Sequence, residues 1–203
     1  HIGEFQSADE WVTVVADTAK LSIYSLADAQ ASCILADSCA APQHYAISPD
    51  GRWVAVSFEA QAAVLWDVQS GEKLSLPDWG QIARMAFSTD GNYLSVEHHN
   101  GQALLWDTLQ QAVIKLDMPT GFNATNLMFL GDGTRLIGRI QRQTNLWDAK
   151  TGDLICSLAG EVRQPEWVSP NGQHVLFFHE GTQEFKVVHM INLVEIVTCD
   201  ATG

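Results

Sequence analysis

Positive charge is what this chain has least of. Lys and Arg together number 11 against 24 Asp and Glu, a formal balance of −13. A nucleic-acid binder needs a basic footprint to displace counterions from phosphate, so this balance argues against nucleic acid as a partner. The acid excess serves solubility. Long apolar runs are also lacking. None approaches the roughly 18 residues that span a bilayer, and the N-terminus has no charged, apolar, small-residue order of a secretory signal. A membrane partner is therefore not expected. The four cysteines, Cys33, Cys39, Cys156 and Cys199, make no C-x-x-C pair and have no His at zinc spacing. They read as free, half-buried thiols of a reducing, cytoplasmic setting. There is no initiator Met, and the chain opens His1-Ile2-Gly3-Glu4-Phe5; it is expected to be excised from a longer protein.

Catalytic signatures are missing too. No G-x-S-x-G, P-loop or H-E-x-x-H occurs. His98-His99-Asn100 is the most metal-like cluster, but successive strand residues point to opposite faces and cannot readily chelate one ion. These histidines read as turn decoration. No catalytic residue, cofactor or metal is expected, and the chain reads as a non-enzyme.

Repetition is what the sequence has in abundance. Val64-Leu65-Trp66-Asp67 recurs as Leu104-Leu105-Trp106-Asp107 and as Asn145-Leu146-Trp147-Asp148, about 40 and 41 residues apart. That period marks a propeller array, one four-stranded blade per repeat. Ser48-Pro49-Asp50-Gly51, Ser88-Thr89-Asp90-Gly91, Gly131-Asp132-Gly133 and Ser169-Pro170-Asn171-Gly172 recur in phase with the tryptophans. Each ends on the Gly that closes a hairpin at positive φ. Between these turns lie short apolar, β-branched runs, as in strands covered on both faces. The expected strands of the third repeat, for instance, are 83–87, 93–97, 102–106 and 112–116. A degraded first repeat puts Tyr24 in the Trp position, and His189 is expected to fill it in the last. The fold class is thus all-β, a single propeller domain of five four-stranded antiparallel blades, with repeats at roughly 2–42, 43–81, 82–123, 124–163 and 164–203. A closed five-bladed ring is favoured, otherwise part of a larger ring.

The S-P-D-G turn followed some 15 residues later by L-W-D resembles the WD40-repeat β-propeller family, in divergent form. The resemblance covers essentially all 203 residues. It implies loops d–a and b–c on the top face, loops a–b and c–d on the bottom, and a non-enzymatic scaffold for protein–protein interaction. The family's Gly-His in the d–a loop is replaced here by Pro77-Asp78-Trp79-Gly80, Thr120-Gly121-Phe122 and Ala159-Gly160-Glu161, so its polar network with the strand-c Trp should be mostly absent. A small-molecule or glycan-binding sensory propeller is the alternative. It would need polar groups on the inner strands, and Tyr45-Ala46-Ile47, Met85-Ala86-Phe87 and Leu127-Met128-Phe129 carry no acids.

One charge contrast points to a site. Arg135, Arg139, Arg142 and Arg163 fall within 29 residues of this acidic chain. By the family's loop geometry Arg139, Arg142 and Arg163 reach the top face at the fourth and fifth repeats, with Arg84 near the same rim and Trp79 in the loop before it. Arg and Trp are enriched at interface hot spots, and Arg forks match carboxylate or phosphate. An acidic or phosphorylated peptide is the expected partner.

Overall fold

The computed structural model describes residues 2–3, 12–17, 20–25, 31–37, 42–58, 61–77, 80–119, 124–141, 143–158, 163–169, 171–179, 184–189 and 194–200. Every regular element among them is a strand. The first sheet is β1 (Ile2–Gly3), β2 (Val12–Asp17), β3 (Lys20–Ser25) and β4 (Ala31–Asp37), and the second β5 (Pro42–Ile47), β6 (Trp53–Phe58), β7 (Gln61–Asp67) and β8 (Lys73–Ser75). The third is β9 (Ile82–Phe87), β10 (Tyr93–His98), β11 (Ala103–Asp107) and β12 (Ala112–Ile114). The fourth is β13 (Ala124–Phe129), β14 (Arg135–Ile140), β15 (Gln143–Asp148) and β16 (Leu154–Leu158). The fifth is β17 (Arg163–Val168), β18 (His174–His179), β19 (Glu184–His189) and β20 (Val194–Asp200). Each sheet is an antiparallel meander of four strands in sequence order, the blade that the repeat predicts.

The second strand of a blade has neighbours on both faces. β6, Trp53-Val54-Ala55-Val56-Ser57-Phe58, is buried at every position. The outer strands β8 and β12 are short and largely exposed, which keeps the unpaired edge small. First strands of successive blades lie side by side, β5 by β9 and β13 by β17.

The core lies between sheets. Ala46, Ala55, Ala63 and Leu65 of the second blade meet Ile82, Leu94, Val96 and Trp106 of the third. Ala103, Leu105 and Leu116 of the third meet Leu127, Leu136 and Trp147 of the fourth. Leu130, Ile137 and Leu146 of the fourth meet Val175, Phe177 and Val188 of the fifth. Trp106 and Trp147 thus face the preceding blade, while Leu65, Leu105 and Leu146, each just before a strand-c Trp, face the next. Small residues on one face make room for the large ones arriving from the other, the interdigitation that close packing demands.

Register corrects one expectation. Trp66 pairs Val54, Trp106 pairs Leu94 and Trp147 pairs Leu136. In the fifth blade the corresponding pair is Val188 with Val175, and His189 sits one place further on, opposite His174. Val188, not His189, therefore holds the Trp position, because the spacing from Trp147 is one residue shorter than assumed. Tyr24, opposite Thr13, does take the Trp position of the first blade.

Candidate functional site

The two ends of the sheets differ in how their polar groups are used. The lower rim carries the a–b and c–d turns, and there each turn satisfies itself. The Ser48 hydroxyl donates to the Asp50 carboxylate and accepts the Trp53 N–H, while Asp50 also accepts the Arg52 N–H. Ser88 and Asp90 repeat this with Tyr93 and Asn92, and Ser169 and Asn171 with His174 and Gln173. A hydroxyl and a carboxylate or amide oxygen two residues apart are what the turn's free N–H groups require.

Stacking adds a second constraint. At Gly133, φ is +71°, and a Cβ would come within 2.8 Å of Asp90 Oδ1 in the preceding blade's turn. Thr89 Oγ1 donates to the Gly131 carbonyl at 3.0 Å across the same junction. Gly is required there by both conformation and space.

The Asp after each Trp closes the c–d turn. Asp67 Oδ1 accepts the Gln69 and Ser70 N–H groups, Asp107 those of Leu109 and Gln110, and Asp148 those of Lys150 and Thr151. Arg52 adds Nε and Nη2 to Asp67 Oδ2, both at 3.1 Å. Burial pushes the Asp67 pKa up, but the bonds from Ser70, Arg52 and Gln69 outweigh it and hold the group below the usual carboxylate range. Arg135 pairs with Asp132 in the same end of the fourth blade. Two of the six arginines are thus consumed at the lower rim.

The strand-c tryptophans are not equally satisfied. Trp147 Nε1 donates to the Asp117 carbonyl at 2.9 Å, whereas Trp66 Nε1 and Trp106 Nε1, both buried, have no acceptor among the described residues. The d–a loops that lead into the second and third blades lie largely outside the described residues.

The upper rim is built on irregular backbone. Pairing slips by one residue in the first strand of the second, third and fifth blades, passing over Gln43, Ala83 and Glu166. Such bulges turn a strand end and expose its polar groups. Glu166 also places an acid in an inner strand, a type of residue that the β5, β9 and β13 strands lack. In the fourth blade the ladder skips Asn126 and Leu127, and Asn126 takes a φ of +56°. Both freed N–H groups donate to one carboxylate of the preceding blade, Glu97, at 2.9 Å each. Glu97 is buried. The only sequence signal for it is a single acid at the end of the uncharged run Tyr93–Val96, and sequence reasoning passed over it.

The site residues divide as follows. Arg84 lies opposite Glu97 near the start of β9, and its side chain is exposed. Arg139 stands opposite Thr125 near the end of β14, with Nε donating to the Gln141 carbonyl of its own hairpin turn. Arg163 opens β17, opposite His179. Strand direction therefore brings Arg84, Arg139 and Arg163 to the same end of three consecutive blades, and Arg84 and Arg139 form no ion pair among the described residues. Trp79 and Arg142 lie outside the described residues, as does the side chain of Arg163.

The neighbouring histidines are not turn decoration throughout. His99 is exposed, but His98 is buried at the end of β10. Burial, the nearby His99 and, in opposition, a bond to the Ile82 backbone leave His44 below its ordinary pKa. No group of three potential metal ligands occurs among the described residues. Cys156 is free, and burial pushes its thiol up, away from the reactive thiolate. No helix among the described residues is long and apolar enough to cross a membrane.

No family model and no curated protein matches the chain. Among solved structures it is similar to the β-propeller domain of Myceliophteria thermophila Cps50 (Swd1), with a TM-score of 0.65 and 14% identity over 97% of this chain and 70% of that one. It is also similar to the dihydro-heme d1 dehydrogenase NirN, solved in complex with DHE, with a TM-score of 0.68 and 14% identity over 98% of this chain and 46% of that one. At such identity the likeness is one of fold. The chain is a divergent β-propeller.

Proposed function

We propose that this propeller is a non-enzymatic protein–protein interaction scaffold of a cytoplasmic protein. It binds an acidic or phosphorylated peptide at its upper rim, through Arg84, Arg139, Arg142 and Arg163 with Trp79 beside them. The observation that supports this reading is the division of the arginines. Those of the lower rim are held by Asp67 and Asp132, whereas Arg84 and Arg139 form no ion pair with a carboxylate among the described residues, in spite of the chain's acid excess. A guanidinium left without a local acid is free to fork onto a ligand carboxylate or phosphate. Likeness to the Swd1 propeller domain is consistent with protein partners in general.

The second reading, a small-molecule or glycan site in the channel, draws on NirN, a propeller-bearing protein solved with a bound ligand. The inner strands β5, β9 and β13 disfavour it, since Ala46, Met85 and Leu127 are packed between blades and no acid occurs in these strands, where a ligand site would need convergent polar groups.

The test uses fluorescently labelled peptide pools, one rich in Asp and Glu and one in phosphoserine. Wild-type protein should bind one of them, and replacing Arg142 and Arg163 by Glu should weaken it by about tenfold or more, the loss typical of a hot-spot charge. Equal binding by wild type and variant removes the rim from consideration.

A further inference from the structure

The junction of the third and fourth blades carries an irregular residue whose side chain the fold leaves unengaged. Asn126 interrupts β13 at a φ of +56°. The chain meets such backbone mostly with Gly, as at Gly51, Gly91 and Gly133, and among the described residues with a side chain only at Gln111, Asn126 and Gln141. Gln111 and Gln141 lie in turns, so Asn126 is the one of the three that breaks a strand. Glu97 of the preceding blade fixes the bulge by accepting the backbone N–H groups of Asn126 and Leu127. The Asn126 side-chain amide is half-buried and makes no hydrogen bond among the described residues, and Thr125 beside it is exposed.

Two guanidinium groups flank this bulge. Arg84 pairs with Glu97, and the adjacent pair Met85 and Val96 packs toward the second blade. Alternation along the strands therefore puts Arg84 on the side of the fourth blade. Arg139 pairs with Thr125, while Ala124 and Ile140 pack toward the third blade, which puts Arg139 on the side of the fifth. The two arginines thus stand near the upper ends of successive sheets and one strand apart, with Thr125 and Asn126 between them. Arg139 is tethered there through Nε to the Gln141 carbonyl.

On the reading of the upper rim as a peptide site, we propose that the Asn126 bulge is its floor. The Asn126 amide binds the peptide main chain, and Arg84 and Arg139 take two acidic side chains at positions i and i+3 of a polyproline-II segment. Neighbouring sheets lie about 10 Å apart and neighbouring strands about 5 Å, which separates the two arginine positions by about 11 Å. A β-strand peptide would match this poorly, since its same-side residues recur at about 7 and 13 Å and residues three apart face opposite ways. A polyproline-II helix has three residues per turn and rises about 3.1 Å for each, so acids at i and i+3 share one side about 9 Å apart. Its backbone makes no internal hydrogen bonds, which leaves N–H and C=O groups for an Asn amide that both donates and accepts.

Fluorescence anisotropy tests this with three peptides of one composition, their two acids placed at i and i+2, i and i+3, or i and i+4 of a Pro- and Ser-rich background. Each is made once with Glu and once with phosphoserine. In one of the two series the i, i+3 peptide should bind wild-type protein about tenfold tighter than its companions, the worth of one charge-assisted contact. Asn126→Gly suits the same backbone, so its melting temperature should not fall, while the i, i+3 peptide should weaken about fivefold for the loss of one neutral hydrogen bond. A purely conformational role for Asn126 would leave that affinity untouched. Asn126→Asp also tolerates this backbone and should weaken binding further by repelling the acids. Equal affinity at all spacings, a preference for i, i+2 or i, i+4, or wild-type affinity in Asn126→Gly would each overturn the proposal. Should Asn126→Gly melt lower, wild-type affinity in Asn126→Asp overturns it in the same way. Binding that ignores spacing but is lost on replacing Arg142 and Arg163 by Glu would leave the rim reading standing without this site, and binding of no acidic peptide would remove both.

Discussion

The lower and upper rims of this propeller are made from the same strands and use most of their polar groups in opposite ways, the bond from Thr89 to the Gly131 carbonyl being a cross-blade exception at the lower rim. At the lower rim Ser48, Asp50 and Asp67, and their counterparts Ser88, Asp90 and Asp107, bond to N–H groups within five residues of themselves. At the upper rim the bonds run across blades, as from Asn126 and Leu127 to Glu97, or stay within a hairpin, as from Arg139 Nε to the Gln141 carbonyl, with no ion pair at Arg139 among the described residues. A surface whose donors and acceptors are mutually satisfied has little to offer a ligand. The lower rim is therefore read as architecture and the upper as the place where recognition is available.

Removing the interblade carboxylate should produce the largest effect. Glu97→Ala leaves two backbone N–H groups of a strained bulge without an acceptor, at a cost of about 1–3 kcal/mol for each buried donor. Chemical denaturation should show a loss of about 2–6 kcal/mol on that basis. A loss no greater than that of a surface substitution would mean that water serves the bulge equally well.

The tryptophans offer an intermediate comparison. Trp147→Phe forfeits both ring volume and the bond to Asp117, while Trp106→Phe forfeits volume alone, since its indole N–H has no acceptor among the described residues. The first should cost about 1 kcal/mol more than the second, the net worth of one hydrogen bond. Paired urea melts decide the order, and equal losses would remove the distinction.

The smallest effect concerns pH. Asp67 has its pKa depressed in the folded state, so its contribution to stability is complete above the unfolded carboxylate value of about 4 and falls away as pH drops toward the folded value. Asp67→Asn should flatten the acid limb of the stability curve slightly. An unchanged limb would show that the turn's N–H groups hold the neutral side chain as well as the charged one.

Much of this was legible in the residues because it is local. The turn Ser-x-Asp-Gly and the Trp-Asp pair are short-range devices with fixed offsets, and the strands between them follow. The third blade's second strand was expected at 93–97 and spans Tyr93–His98. What lay beyond the sequence depends on contacts between blades. Glu97 gains its role only when a bulge 30 residues later comes alongside. The displaced position of His189 came from assuming a constant repeat length where the connection is one residue shorter. Of the rim residues, Arg84, Arg139 and Arg163 lie at one end of their sheets, whereas Trp79 and Arg142 fall outside the described residues.

The contrast between rims is tested most directly by peptide binding measured on three proteins side by side, in low and high salt. These are the wild type, a double variant Arg84→Glu and Arg139→Glu at the upper rim, and Arg135→Gln at the lower rim. The expected result is that acidic or phosphorylated peptide binds the wild type and the lower-rim variant alike, weakens with salt, and is lost from the upper-rim variant. Binding that survives the upper-rim changes, or that disappears with Arg135, would contradict it.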